Sequence, residues 1–283
     1  LDTLPFPARE LLDSQGGNIF AWNKNYSGTN STIILSSRGC PFKCPFCGSM
    51  FISGKLRMRH PSNVFNEVKE VIEKFDIRQF RFSDDMFTAS ENRAKLIASL
   101  LSKLGIVWRI STRVKPWNRE LAKVLYDGGC KEVSFGIESF DDTVLKAIGK
   151  KTTAKENENA IRIAKEVGMT VRVLFMIKTP GQRKETVDIN IEYLEKLKNF
   201  YDIIACTTFV PIPGCLMWAS PQNYGIDILD TDFEHYNFYA FGSKGENPIP
   251  NVIHLHGRDE NEVNKETQRF RDYLKNTGKV NKG

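Results

Sequence analysis

The chain has 283 residues, 41% hydrophobic and 26% charged, so a collagen-like or globally disordered polymer is excluded and one large domain or two small ones remain. The formal charge of +6, from 40 basic and 34 acidic residues, is mild for this size; the basic residues read as scattered over solvated helix faces and make no case for nucleic acid. No apolar run approaches the roughly 18 residues needed to cross a bilayer, and no signal-peptide pattern opens the sequence. The first residue is Leu1 rather than Met, so the chain is expected to be a piece of a longer protein.

The opening LDTLPFPARELLD reads as a Pro-punctuated connector turning into a short helix, and residues 14–31, rich in Gly, Asn and Ser, read as loop. Residues 32–35 form a short β-branched run leading into a cysteine-rich loop. Ser62 is expected to cap a helix to Phe75, with Val64, Phe65, Val68, Val71 and Ile72 on one stripe. A strand at 79–83 ends at Asp84-Asp85. A helix begins at Ser90 and stops at Gly105. The alternation continues with a strand at 107–112, a helix at 118–126 and a strand at 132–137 followed by Glu138-Ser139. Helices follow at 141–148 and 155–167, then a strand at 170–177 closed by Thr179-Pro180-Gly181. A helix at 184–197 and a strand at 202–210 ending in PIPG complete the series.

Six β–α repeats over residues 31–215 imply parallel pairing with helices on the outer face. They are too few for a closed eight-stranded barrel, so the α/β class takes the form of a partial (β/α)6 TIM-like barrel; a doubly wound sheet also fits the count. In either, functional residues gather at the C-terminal ends of the strands, where the cysteine loop, DD, ES, TPG and PIPG all fall. Residues 1–30 are read as an N-terminal linker. Residues 216–283 are read as a C-terminal extension that closes the barrel or shapes a substrate site. Within it, 259–275 reads as a charged helix, the last nine residues as a frayed tail, and the aromatics of 233–241 as packing across the open edge.

Six cysteines are present, and three stand in RGCPFKCPFCGSM as Cys40, Cys44 and Cys47. One tight cluster in a large chain suits metal ligation better than a disulfide scaffold and points to a reducing compartment. Zinc would want four ligands in paired spacing, and no second pair follows. Three thiolates on one loop suit three irons of a cubane, with the fourth iron left open. Cys130, Cys206 and Cys215 are too dispersed for a second cluster and read as buried apolar residues. His254 and His256 share one face of an expected strand and read as structural or surface histidines.

The cysteine loop after a first strand, with five further β–α units, resembles the radical S-adenosylmethionine enzymes, and Phe46 matches the aromatic they carry before the third cysteine. FRFSDDMFT, FGIESFDDTVLKAIGKKTT, FMIKTPGQRKET and PIPG narrow the resemblance to the radical module of cobalamin-binding members. It implies a [4Fe–4S] cluster on Cys40, Cys44 and Cys47, with S-adenosylmethionine chelated at the open iron and cleaved reductively to a 5′-deoxyadenosyl radical for C–H activation. It places Asp84 and Asp85 at the cofactor's amino group, with an N-cap or turn as the plainer alternative. Glu138 matches a cofactor-contact position and Lys150 a partner of the cofactor carboxylate, against a surface lysine. Ile177 would pack on adenine. Lys178 stands where the family usually has glycine, which puts the local backbone in question. Arg113 would face the cofactor or an anionic substrate, against a surface salt bridge.

Cobalamin, by the same resemblance, would come through a domain outside this chain. A small-molecule or peptide substrate, an electron donor such as flavodoxin or ferredoxin, and a cytoplasmic setting are the accompanying expectations. A tRNA-modifying enzyme of similar core and a non-catalytic zinc scaffold are the alternatives.

Overall fold

In the computed structural model, residues 1–14, 31–232 and 252–280 are described, so the aromatics of 233–241 and the glycine-rich stretch 15–30 lie outside it. One sheet organises the molecule. Its strands are β1 (Ser31–Ile34), β4 (Gln79–Phe82), β5 (Val107–Thr112), β6 (Cys130–Glu138), β7 (Thr170–Ile177) and β8 (Ile203–Thr208), in that spatial order and all parallel. The strands follow one another in chain order and β1 and β8 do not pair, so the sheet is a partial barrel and not the doubly wound sheet that also fitted six repeats.

The connecting helices α3 (Pro61–Phe75), α4 (Glu91–Leu101), α5 (Arg119–Asp127), α6 (Asp142–Ala147), α7 (Ala154–Val167) and α8 (Thr186–Lys196) follow the strands in turn. Alternate strand residues explain the layering. Phe80, Phe82, Trp108, Ile110, Val133 and Phe135 join the apolar stripes of the helices in one core. The neighbouring positions on β5, β6 and β7 place Arg109, Glu132 and Arg172 on the other face, with Glu132 Oε1 lying 3.5 Å from Arg109 Nη1 and 3.3 Å from Arg172 Nε. This interior is polar, unlike the branched aliphatic filling of a closed barrel.

Helix starts follow cap chemistry. Ser90, Asn118, Asp141 and Asp259 each accept a backbone N–H of the first turn, and Thr153 with Glu156 forms a reciprocal capping box. The expected cap Ser62 is displaced: His60 caps α3 through Nδ1, because Pro61 fits the first helical position and moves the start two residues upstream. Asp202 is not part of β8; its carboxylate accepts the Val171 N–H at 2.8 Å and pairs with Lys165 at 2.6 Å.

The opening segment is tied to the barrel more firmly than a connector needs to be. From α1 (Arg9–Ser14), the buried Arg9 donates to Ile33 O at 2.9 Å and to Glu67 Oε1 at 2.7 Å, and Arg59 pairs with the other Glu67 oxygen. Glu67→Ala would leave two desolvated guanidinium groups without their carboxylate. It is expected to cost about 3–5 kcal/mol in urea unfolding. On α7, Glu158 lies among Lys196, Arg162 and Lys155. Burial raises its pKa, but the hydrogen bonds from Lys196 and Arg162 outweigh it and hold the carboxyl at about 2 against an ordinary 4.5. A depressed carboxyl stabilises above its unfolded pKa and loses that contribution as pH falls from about 4.5 through about 2. Glu158→Gln is therefore expected to be destabilised by about 2 kcal/mol at pH 7, with the gap to the parent closing over that window in acid unfolding.

Beyond β8, α9 (Leu216–Ala219) and an antiparallel pair, β9 (Ile226–Ile228) with β10 (Ile253–Leu255), lead to the long helix α10 (Glu260–Asn276). Val210, Met217, Ile226, Val252, Ile253 and Val263 bury together with Val144, Leu145 and Ile148, so this extension packs onto the α6 region. The expected frayed tail is ordered through Val280. Ile204 N–H donates to Lys279 O at 2.9 Å and Val280 bridges Ile204 in parallel, because the outer edge of β8 offers unpaired backbone groups there. His254 and His256 both meet Asp227, at 3.6 and 3.1 Å, which satisfies them as structural groups.

Candidate active site

The cysteine loop starts where β1 ends and is held from below by the end of β4. Ser36 and Ser37, both buried, donate their hydroxyls to Asp84 Oδ2 at 2.5 and 2.6 Å, and the Ser36 amide donates to Oδ1 at 2.8 Å. Burial pushes the Asp84 carboxyl up, against the serine donors that favour its charged form. Asp85 Oδ2 accepts the Gly39 N–H at 2.8 Å. Arg93, from α4, donates to Ser36 O at 2.6 Å. The DD pair thus braces the entry of the loop, an anchoring task that neither the ammonium-binding expectation nor the plain turn includes.

Gly39 is left-handed (φ +87°), and a Cβ there would lie 2.8 Å from Gly54 O and 2.9 Å from Lys55 O, so only glycine passes beneath the hairpin of β2 (Ser37–Arg38) and β3 (Arg57–Met58). The short helix α2 (Ser49–Ser53) follows Cys47. Cys40 and Cys44 are half-buried and Cys47 is exposed. Burial raises the Cys40 and Cys47 thiols, and each is raised further by neighbouring cysteines.

Arg113, just past β5, faces the loop rather than a surface acid. Its Nη1 donates to Cys44 Sγ at 2.9 Å, its guanidinium lies 4.2 Å from the Phe42 ring centroid, and its Nη2 donates to Lys150 O. Lys150 is buried, not a surface lysine: Nζ pairs with Glu138 Oε1 at 2.6 Å and lies 5.8 Å from the Phe46 ring centroid. Glu138 is itself left-handed (φ +60°), at a register shift of β6 against β7 that re-aims its side chain. A Cβ on Gly136 would fall 2.7 Å from Glu138 Oε1 and 3.0 Å from Lys150 Nζ, so the ion pair occupies space that only glycine leaves. A Cβ on Gly149 would lie 2.7 Å from Pro45 Cδ, and Met217 N–H donates to Pro45 O at 3.0 Å; these bring the α6–α7 turn and α9 onto the cysteine loop.

The turn after β6 is fixed by its own network. Asn190 Oδ1 accepts from Phe140 N–H at 2.7 Å and Ser139 Oγ at 3.2 Å, while Asn157 Nδ2 donates to Ile137 O and Ser139 O. Ile177 is buried at the end of β7, its carbonyl accepting from Phe209 N–H at 2.8 Å. Lys178 holds a left-handed backbone (φ +57°), the region that favours glycine. Its fully buried side chain reaches Glu260 Oε1 of α10 at 2.5 Å. Cys215 is turned inward to cap α9 through the Trp218 N–H, Cys130 is buried, and burial pushes half-buried Cys206 up to about 12.

A scan against family models matches residues 34–194 to the Radical SAM superfamily. The chain belongs to the Radical SAM superfamily. That domain implies a [4Fe–4S] cluster and S-adenosylmethionine. An uncharacterized methyltransferase of Pyrococcus horikoshii is 32% identical over 221 residues, covering 77% of this chain and 46% of that protein. The anaerobic magnesium-protoporphyrin IX monomethyl ester cyclase of Rubrivivax gelatinosus is 27% identical, covering 78% of this chain and 40% of that protein. The chain therefore spans less than half the length of these curated relatives. Among solved structures, the radical S-adenosylmethionine methyltransferase TsrM from Kitasatospora setae, with cobalamin and a [4Fe–4S] cluster bound, matches with a TM-score of 0.64 at 18% identity, over 73% of this chain and 43% of that one. The cobalamin-dependent radical enzyme OxsB with aqua-cobalamin matches with a TM-score of 0.53 at 18% identity, over 76% and 32%. At these identities the two structures speak for the fold.

The radical SAM site of this chain fits its cluster on donor chemistry. Arg113 Nη1 and the Ser49 backbone N–H donate to the Cys44 and Cys47 sulfurs at 2.9 and 3.4 Å, and Arg113 Nε and Ser49 Oγ of the same residues are buried without a hydrogen-bond partner. Among the described residues no three His, Cys, Asp or Glu side chains gather to hold a single metal ion. A cubane takes each thiolate on a different iron and does not need that convergence. No helix among the described residues is long and apolar enough to cross a membrane. The sequence pattern exposed the cysteines, and the family resemblance singled out Glu138 and Lys150, each as a separate position. It carried no signal for Ser36, Ser37 and Arg93 as loop anchors, for Gly136 as the seat of the ion pair, or for Lys178 reaching α10.

Proposed function

We propose that this chain is the radical module of an enzyme that cleaves S-adenosylmethionine reductively for C–H activation, leading to methyl transfer or a carbon-skeleton rearrangement on a small-molecule or peptide substrate. The observation that carries the reading is one connected path. Arg113 joins Cys44 Sγ to the backbone of Lys150, and the Lys150 ammonium is fixed by Glu138. Charged groups suited to the amino-acid end of the cofactor are thereby locked to the cysteine loop before any ligand arrives.

Cys40, Cys44 and Cys47 hold the cluster, which when reduced supplies the electron for cofactor cleavage. Glu138 and Lys150 offer a carboxylate and an ammonium to the cofactor's amino and carboxylate groups. Ile177 provides an apolar wall for adenine, and Phe46 shields the Lys150 ammonium. Asp84 and Asp85 act mainly through the loop they brace. Arg113 orients Cys44 and supplies positive charge beside the sulfur. The similar methyltransferase and cyclase, together with the cobalamin-bound fold neighbours, support cobalamin as a further cofactor of the full-length protein; its corrin spectrum after anaerobic purification would report this. A cytoplasmic setting would suit a cluster held on reduced thiolates. No observation favours the tRNA-modifying or zinc-scaffold readings.

The test is anaerobic reconstitution of the full-length protein with iron and sulfide, then dithionite and S-adenosylmethionine, with 5′-deoxyadenosine measured by mass spectrometry. Formation that requires both additions is expected. A fully loaded cluster that binds S-adenosylmethionine and yields no 5′-deoxyadenosine, with or without cobalamin, would sink the reading.

A further inference from the structure

We infer that the surface around the cysteine loop is a docking face for an acidic one-electron carrier protein; the inference rests on the radical reading above. It begins with an asymmetry of charge. Residues 14–66 contain six Lys or Arg and no Asp or Glu, while the rest of the chain carries 34 of each sign. The net charge of +6 equals the excess carried by this one segment, while the other 34 bases are balanced by 34 acids.

Four of those basic residues lie at the surface beside the cysteine loop. Arg38, Lys43, Lys55 and Arg57 are all exposed, and none has a carboxylate within ion-pair distance among the described residues. Helix lysines elsewhere differ: Lys74, Lys95 and Lys123 each pair with an acid one turn away. Arg38 and Arg57 stand directly opposite each other in the β2–β3 register. Like charges in that relation destabilise a strand pair, and an anionic partner would relieve it.

An apolar component adjoins the charge. Phe51 and Ile52, 72% and 75% exposed, are the most exposed large hydrophobic residues among those described. They follow Cys47 by four and five positions. A Cβ on Gly214 would meet the Phe51 ring at 2.3 Å, and one on Gly48 would meet both Ile52 and the exposed Ile212 at 3.5 Å, so the patch is continuous across to the loop after β8. A nucleic acid would use the charges and leave the apolar patch wet. A small acidic protein uses both, charge to steer the encounter and an apolar centre to seat it. Cys47 is the exposed ligand, so a carrier seated here is at the closest approach to the cluster. In the step, the reduced carrier loses one electron and the oxidised cluster gains it, with no covalent bond formed or broken.

The test uses full-length, cluster-loaded protein in anaerobic stopped flow, following the visible absorbance of the cluster. Flavodoxin hydroquinone and dithionite serve as alternative reductants. In an Arg38→Glu/Arg57→Glu variant, reduction by flavodoxin is expected to slow about tenfold or more and to lose much of its salt dependence. Reduction by dithionite and iron content should stay at parent values. Phe51→Ser/Ile52→Ser, which leaves the charges in place, should slow flavodoxin while keeping the salt dependence. Flavodoxin rates equal to the parent's in both variants would overturn the inference alone. So would flavodoxin and dithionite rates falling together, or charge reversal that abolishes binding of a labelled RNA and spares flavodoxin. A parent protein that loads no reducible cluster would overturn the radical reading and this inference with it.

Discussion

Replacing Cys44 with alanine is expected to abolish 5′-deoxyadenosine formation and to strip the reconstituted protein of most of its cluster iron. Loss of an outer partner of a metal ligand typically costs about ten- to a hundredfold in affinity or activity, and loss of the ligand itself costs at least that. Cys44 is the middle of the three proposed ligands and the acceptor of the Arg113 Nη1–H bond at 2.9 Å, so alanine would remove both a proposed iron ligand and the end of the path to Lys150. Iron and sulfide analysis beside the product assay checks this. A variant with full iron content and parent-level product would show that the cubane is not held on this loop.

Breaking the Glu138–Lys150 pair is the second large effect. Both side chains are buried and their charged atoms are 2.6 Å apart, so Glu138→Gln leaves an ammonium desolvated without its counter-charge. A loss of about 3–5 kcal/mol is expected, which for a domain of this size lowers the melting temperature by roughly 10 °C. The double variant Glu138→Gln/Lys150→Met should recover much of that stability, since no buried charge is left unpaired. Cofactor retention should not recover with it. Equilibrium dialysis of S-adenosylmethionine against the reconstituted parent, single and double variants separates the two effects. Recovery of both together would make the pair purely structural.

The effects at Glu67 and Glu158 differ in kind, because Glu158 faces Lys196 of α8 and Glu67 meets the entry of the cysteine loop only through Arg59, which donates to Leu35 O at 2.9 Å. Their variants are expected to shift unfolding while the folded protein still loads its cluster. They therefore serve as stability controls for the changes at Glu138.

The sequence by itself determined the strand and helix alternation, the parallel pairing and the thiolate motif, while the sequential strand order of the structure chose the partial barrel over a doubly wound sheet. The spans 107–112 and 170–177 were readable because short runs rich in β-branched and apolar residues end at turn residues, and Ser90, Asn118, Asp141 and Asp259 announced helix starts through local cap chemistry. Such signals act over a few residues, so the chain order carries them. Even then Pro61 shifted one start from Ser62 to His60.

Only the tertiary structure decided what those residues do to one another. Asp84 reaches Ser36 and Ser37 from 48 and 47 positions away, Arg113 reaches Cys44 across 69, and Lys178 reaches Glu260 across 82. Residues on neighbouring strand ends meet because the strands are parallel and every crossover returns the chain to the same edge of the barrel, and nothing in local periodicity encodes which side chains then share a charge. The same holds for the surface: the run without acids is written in residues 14–66, but its meeting with Ile212 and Gly214 beside Cys47 exists only once β8 has closed its place in the sheet.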